Sequence, residues 1–223
     1  MLNIVDYIIQ AYKQKICKDK PFPKVDVISL DGIDYCNRVL EETKDQKYST
    51  VPALIIGKEN KSELIVNTTA LTGPNRFFST EVFLSVLARK QIEESENFKE
   101  ISDAKGILSK KRFFKGLEIV KTFAANVMSL HVMDVLFEDD NYNYDEKSIK
   151  KIKEIMARSE DRTSVLCYML AKIKVYNNGN AHSLLSDMPP YVTTLYDSLS
   201  QININEKINK KDIKKISKLV VCD

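Results

Sequence analysis

Apolar residues recur at helical spacing in Ile4, Ile8, Ile9, Tyr12 and Ile16, so residues 3–17 read as an amphipathic helix ending before the Pro21-Phe22-Pro23 break. Val25, Val27 and Leu30 bracket a short strand, and after the Asp31-Gly32 turn the stretch from Ile33 to Glu42 reads as a helix. Two apolar, partly β-branched runs, 52–57 and 63–67, flank the polar stretch from Lys58 to Ser62, which is a hairpin signal. Gly73, Pro74 and Asn75 mark a turn. Ser79 or Thr80 is expected to cap the next helix, with Glu81 in its first turn, where the helix dipole favours a carboxylate. That helix, about 80–95, turns Val82, Phe83, Val86, Leu87 and Ile92 inward.

A polar connection over 96–106 leads into a long apolar helix from Lys115 to Phe137, then an acidic loop over 138–145. Helices follow at 146–157 and 160–176, the second closed by Asn177 to Asn180. Met188, Pro189 and Pro190 open a further helix, with proline in its first turn, that runs to Ser200. Residues Asn209 to Leu219 pattern as a basic amphipathic helix. There is no internal repeat and no linker composition. The expected class is therefore α+β: one mostly helical domain over 1–223, with a small sheet in its first part (1–78), a helical body (79–202) and a basic C-terminal helix (203–223).

At 223 residues and 43% hydrophobic, the chain has enough apolar surface for a core. Lysine and arginine number 34 against 31 acidic residues, a balance unlike the basic excess of a dedicated nucleic-acid binder. The four cysteines, Cys17, Cys36, Cys167 and Cys222, are too scattered for a CxxC zinc or redox pair or a secreted disulfide framework, and a reducing cytosol is the expected compartment. Histidine occurs only at 131 and 182, so no HExxH metal helix exists in this sequence. The six glycines are too dispersed for a phosphate-cradling loop or a GxSxG elbow. The N-terminus lacks the order of a signal peptide, and the apolar region from Phe123 to Phe137 is interrupted by polar residues before reaching the roughly 18–20 residues of a membrane span. No membrane partner is expected.

The stretches Glu63 to Thr72 with Ser79 to Ala88, Ala157 to Ser164, and Ser183 to Leu199, in that order, resemble the HtpX/Oma-like zinc metallopeptidases. Glu63 to Thr72 followed by Ser79 to Ala88 is similar to that family's edge strand and the approach to its HExxH helix, with Ser85-Val86-Leu87-Ala88 in the matching place. Ala157 to Ser164 resembles the helix that carries the third zinc ligand, with Asp161 retained. Ser183 to Leu199 resembles a later segment of the family. The resemblance implies a zincin-like fold. It also puts non-ligating residues at the former metal site: Arg89 in place of the first histidine, Lys90 in place of the catalytic glutamate, Glu93 in place of the second histidine and Ala157 in place of the glutamate ligand. Met188 replaces a histidine, and Thr194 or its neighbour an arginine, in the third segment.

Catalytic zinc needs three protein ligands, an open position and a general base. One carboxylate beside a guanidinium and an ammonium repels a dication. The resemblance thus implies a pseudoenzyme with no metal and no cofactor. An Arg89–Glu93 pair at i,i+4 would sit in the old cleft, worth a few tenths of a kcal/mol. What such a scaffold retains is a cleft for an extended chain, so the expected partners are other proteins, recognised through an edge strand at Leu64, Val66 and Asn67. Tyr142 and Tyr144, in the acidic loop, form a second candidate contact surface. Genes of this kind look similar to ones of large bacteriophages, and the lysine- and isoleucine-rich composition suits such a source. The role expected on that ground is protein sorting into a replication compartment.

Two other classes compete. Segments 109–115 and 207–218 are basic, the first with Phe113 and Phe114 interleaved, as a nucleic-acid contact requires. The balanced net charge favours instead a solvated helix start whose phenylalanines face the core. An enzyme built from scattered Asp, Glu and Lys residues is the other class. His131, between Leu130 and Val132, is expected in or at the edge of the core with one hydrogen bond, and His182 in a loop or helix cap. The cysteines are expected as small core residues, with Cys222 free near the end.

Overall fold

The computed structural model describes residues 3–18, 20–58, 61–102, 110–138, 146–202 and 208–219. They divide into two compact units, Met1–Gln91 with His131–Asn141, and Ile92–Leu130 with Tyr142–Asp223. Two of the three divisions, at 91/92 and 130/131, fall inside helices, α4 (Arg76–Glu94) and α6 (Lys110–Leu136), and leave no mark of linker composition in the sequence; the third, at 141/142, lies outside the described residues. The chain is mostly helical with one three-stranded sheet, an α+β architecture.

In the first unit, α1 (Ile4–Tyr12) starts where the Asn3 side chain accepts from the Val5 amide at 3.2 Å. It buries Val5, Ile8, Ala11 and Tyr12. A π-helical turn, Lys13–Cys17, continues it, and the chain leaves through Lys18 at φ 45°. The sheet contains β1 (Asp26–Leu30), β2 (Ala53–Lys58) and β3 (Lys61–Asn67). The expected hairpin forms, with β2 antiparallel to β3, while β1 pairs with β3 in parallel, Asp26 opposite Glu63 through Leu30 opposite Asn67.

The strand order β1-β3-β2 corrects the expectation of an edge at Leu64–Asn67. β3 is central, both its hydrogen-bonding edges are occupied, and Leu64, Ile65 and Val66 are fully buried. A run of three apolar residues with no polar alternation suits a strand covered on both faces. The edges are β1 and β2. On one side Ile65 packs with Tyr35 and Val39 of α2 (Gly32–Thr43), capped by Asp31, whose carboxylate accepts from the amides of Ile33 and Asp34. Asn67 caps α3 (Thr68–Thr72), accepting from the Ala70 amide at 3.2 Å.

Helix α4 begins directly after Gly73-Pro74-Asn75. Ser79, Thr80 and Glu81, expected at its cap, are instead buried within it, because Arg76, Phe77 and Phe78 extend the helix back to the turn. Its inward face carries Phe83, Leu84, Leu87 and Ala88, whereas Val82 and Val86 are only half-buried.

In the second unit the polar connection contains a helix the periodicity does not reveal, α5 (Glu96–Ser102), burying Phe98 and Ile101. Asn97 holds the chain before the last helix, its amide group donating to the Ile208 carbonyl at 3.2 Å and accepting from the Ile208 amide at 2.8 Å. Helix α6 starts at Lys110, five residues earlier than expected. By length and composition it meets the requirement for crossing a bilayer, but 61% of its most apolar window is buried inside the protein, as in a core helix. Helices α7 (Glu146–Arg158) and α8 (Arg162–Tyr176) pack together, as do α10 (Pro190–Ser200) and α11 (Lys210–Leu219), with the short α9 (Ala181–Leu184) between the pairs in the chain.

Candidate functional site

An open cleft of about 750 Å³ lies wholly within the second unit. One wall is α7, through Lys153, Met156 and Ala157, and the other is α10, through Tyr191, Val192 and Leu195. Thr163, Leu166 and Cys167 come from α8, Ile119 from α6 and Leu219 from α11. The lining is apolar with charge at the rim, the usual constitution of a binding cleft.

Local sequence explains the shape. Asp161 caps α8, its carboxylate accepting from the Ser164 amide at 3.0 Å, and this fixes the tight turn from α7 and sets Arg162 at the rim. Pro189, extended at ψ 141°, cannot prolong a preceding helix, while Pro190 opens α10. Asp187, Met188 and Pro189 therefore form a lip. Lys153 ties that lip to α7, donating to the Leu184 carbonyl and to Asp187. The hydrogen bond from Lys153 holds the Asp187 carboxyl below the usual carboxylate range. Among the described residues Arg162 makes no ion pair, and its guanidinium stands exposed beside an apolar floor. Cys167 is buried, its thiol directed at the Ile119 carbonyl at 3.8 Å.

The expected site residues are placed unevenly. Ala157 and Met188, from two segments far apart in sequence, line this same cleft. Glu93 does not line it; its carboxylate accepts from Lys121 at 2.8 Å. Lys90, in the first unit, donates to Ser62 Oγ at 3.0 Å, beside β3. Arg89 is half-buried one residue earlier on α4. Among the described residues no three His, Cys, Asp or Glu side chains gather to hold a metal ion. Leu64 and Val66 offer nothing to a partner, being fully buried, and Asn67 is spent on capping α3. Tyr142 and Tyr144 lie outside the described residues, as do Ser109, Lys207 and Cys222.

His131 is exposed on α6 rather than packed in the core. Partial desolvation of its ring lowers the imidazole pKa, with Asp134 opposing and Lys15 adding to the shift. His182 is exposed too, with Nε2 3.3 Å from Asp197. Cys17 is buried beside Tyr12, whose hydroxyl donates to Gln91 Oε1 at 2.6 Å; burial first, and Cys17 second, hold that phenol well above its ordinary range. Of the two interleaved phenylalanines, Phe113 is buried and Phe114 is 44% exposed. Sequence reasoning missed Lys153, Arg162 and Tyr191. The proline pair at 189–190 was the available sign of a lip, but nothing in the sequence sets it opposite α7.

Comparisons of the chain with protein-family models, with curated proteins and with solved structures each return no match.

Proposed function

We propose that this chain is a non-catalytic, metallopeptidase-like protein that binds a segment of another polypeptide, as an adaptor or trafficking factor. The observation that carries this proposal is the apolar cleft holding both Ala157 and Met188, with the unpaired guanidinium of Arg162 at its rim. A cleft of this size takes several side chains, and one exposed cation beside an apolar floor selects a ligand with one carboxylate among apolar residues. Folded peptides of that kind bury their apolar face and leave the acid at the edge, where the guanidinium receives it in a bidentate pair. Since β3 is central, main-chain pairing to Leu64–Asn67 has no part in this recognition.

The test is fluorescence polarisation with a panel of short labelled peptides pairing leucine or phenylalanine with a glutamate. The expected outcome is saturable binding that falls at least about tenfold in Leu166→Glu, a buried charge facing the ligand, and several-fold in Arg162→Glu. Equal binding by wild type and both variants overturns the cleft as the site. Stoichiometric zinc in purified protein, or chelator-sensitive cleavage of casein, overturns its non-catalytic character.

A further inference from the structure

Two basic segments, about a hundred residues apart in the sequence, meet in the second unit. Helix α11 crosses the start of α6 at Gly116, where an added Cβ would collide with Ser217 Oγ and stand 3.0 Å from the Ile213 carbonyl and 3.1 Å from Ser217 Cα. So close an approach requires glycine. Arg112 lies one turn before Gly116 on the same flank of α6, and Lys214 one turn before Ser217 on the same flank of α11. Lys111 and Lys115 continue the exposed arc of α6; Lys210, Lys211, Lys215 and Lys218 continue that of α11. Among the described residues none of these eight cations makes an ion pair. The nearby carboxylates do not cancel them, as Glu118 is bound by Lys121 at 2.5 Å and Asp212 stands alone on α11. Phe114 is exposed at the far end of the α6 arc, its ring backed edge-to-face by buried Phe113 at 6.1 Å.

We infer that α6 and α11 together form one binding surface for single-stranded nucleic acid, with the lysines and Arg112 on phosphates and Phe114 as a platform for a base. Separate charge runs on a near-neutral chain are ordinary solvated faces; their junction around one helix crossing makes a single field. An exposed aromatic beside unpaired cations suits unstacked bases, which offer a π face. The alternative polyanions fit less well. A membrane-surface helix inserts its apolar face, but Ile213 and Ile216 are buried in the fold. An acidic protein answers the cations, but the alternation of phosphates and bases along a single strand matches both the cations and the lone exposed ring. This inference stands on side chains separate from the cleft and does not depend on the polypeptide proposal.

The experiment is fluorescence anisotropy of the full chain with a labelled single-stranded DNA of about 20 nucleotides, its RNA counterpart and the DNA duplex. With about five phosphates neutralised, affinity for a single strand falls about a hundredfold between about 50 and 200 mM salt. The pair Arg112→Gln, Lys115→Gln and the pair Lys210→Gln, Lys214→Gln each weaken binding about tenfold and flatten the log–log salt slope by about 1.4. Phe114→Ala weakens it about tenfold and leaves the slope unchanged. All these positions are exposed, and circular dichroism verifies folding of each variant. Binding of either single strand with these dependences supports the inference, and the tighter of the two identifies the source. No retention at about 50 mM salt, indifference to either charge pair, or equal binding by a poly-glutamate peptide or phosphatidylserine vesicles overturns it.

Discussion

Lys121 sits on α6 with 6% of its side chain exposed, and its ammonium is shared by Glu93 at 2.8 Å and Glu118 at 2.5 Å. The ring of Phe98 lies 5.5 Å from the same nitrogen. Water is nearly absent from this cation, so its two half-exposed carboxylates supply the solvation it lost. Removing them strands a charge, whereas removing the charge leaves an unbranched apolar chain of similar volume. Glu93→Gln with Glu118→Gln is therefore expected to destabilise by roughly 1–3 kcal/mol, and Lys121→Met by less than about 1 kcal/mol, read from urea unfolding midpoints. Equal losses in both would show that stranding the buried ammonium carries no cost beyond losing the pairs. The Glu118–Lys121 partnership was legible as an i,i+3 pair on a helix. Glu93 was not: the carboxylate's role on Lys121 depends on a neighbour 28 residues away.

At the scale of elements, the close crossing of α6 and α11 makes the sharpest demand on one position. Glycine in a helix interior costs roughly 1 kcal/mol relative to alanine, so by propensity alone Gly116→Ala stabilises. The contacts predict the reverse sign. Ser217 Oγ is committed to the Ile213 carbonyl at 2.6 Å, and the backbone of both residues stands behind it. Gly116→Ala is expected to cost about 1–3 kcal/mol in a thermal or urea melt, part of it recovered by adding Ser217→Ala. A stabilised single variant would mean the helices separate freely. Most elements were readable: the hairpin from its two apolar runs, α7 from its apolar stripe, α8 from the Asn177 to Asn180 stop and α10 from its proline start. The order of the strands was not. Leu64, Ile65 and Val66 carry the mark of a doubly covered strand, but the parallel partner β1 lies more than thirty residues away in the chain and only tertiary pairing brings it alongside. Helix α5 escaped notice because two buried residues, Phe98 and Ile101, give too little periodicity to register.

For the molecule as a whole, acid is the condition that probes how the cleft is held. Asp187, on the lip, has its carboxyl held below the ordinary range by the hydrogen bond from Lys153. A carboxylate depressed in the folded state contributes stability above its unfolded pKa, about 3.9, and loses it as pH falls through the folded value. Exposure of the Asp187 side chain, 67%, keeps this contribution small. Wild type should unfold at slightly higher urea than Asp187→Asn at neutral pH, and the two midpoints should converge at strongly acidic pH; a constant gap across the range would remove Lys153 as the cause. By itself the sequence determined the α+β composition, the positions of most helices, the hairpin and the lack of a local metal-binding motif, because these depend on residues within a few turns of one another. It also held the two basic segments in plain view, but as unrelated stretches. Tertiary structure alone decided that β3 is central, that Ala157 and Met188 share a cleft, and that those basic segments adjoin at Gly116. Each of these is a meeting of surfaces distant in sequence, fixed by shape and burial, and local patterning carries no record of which surface will be the neighbour.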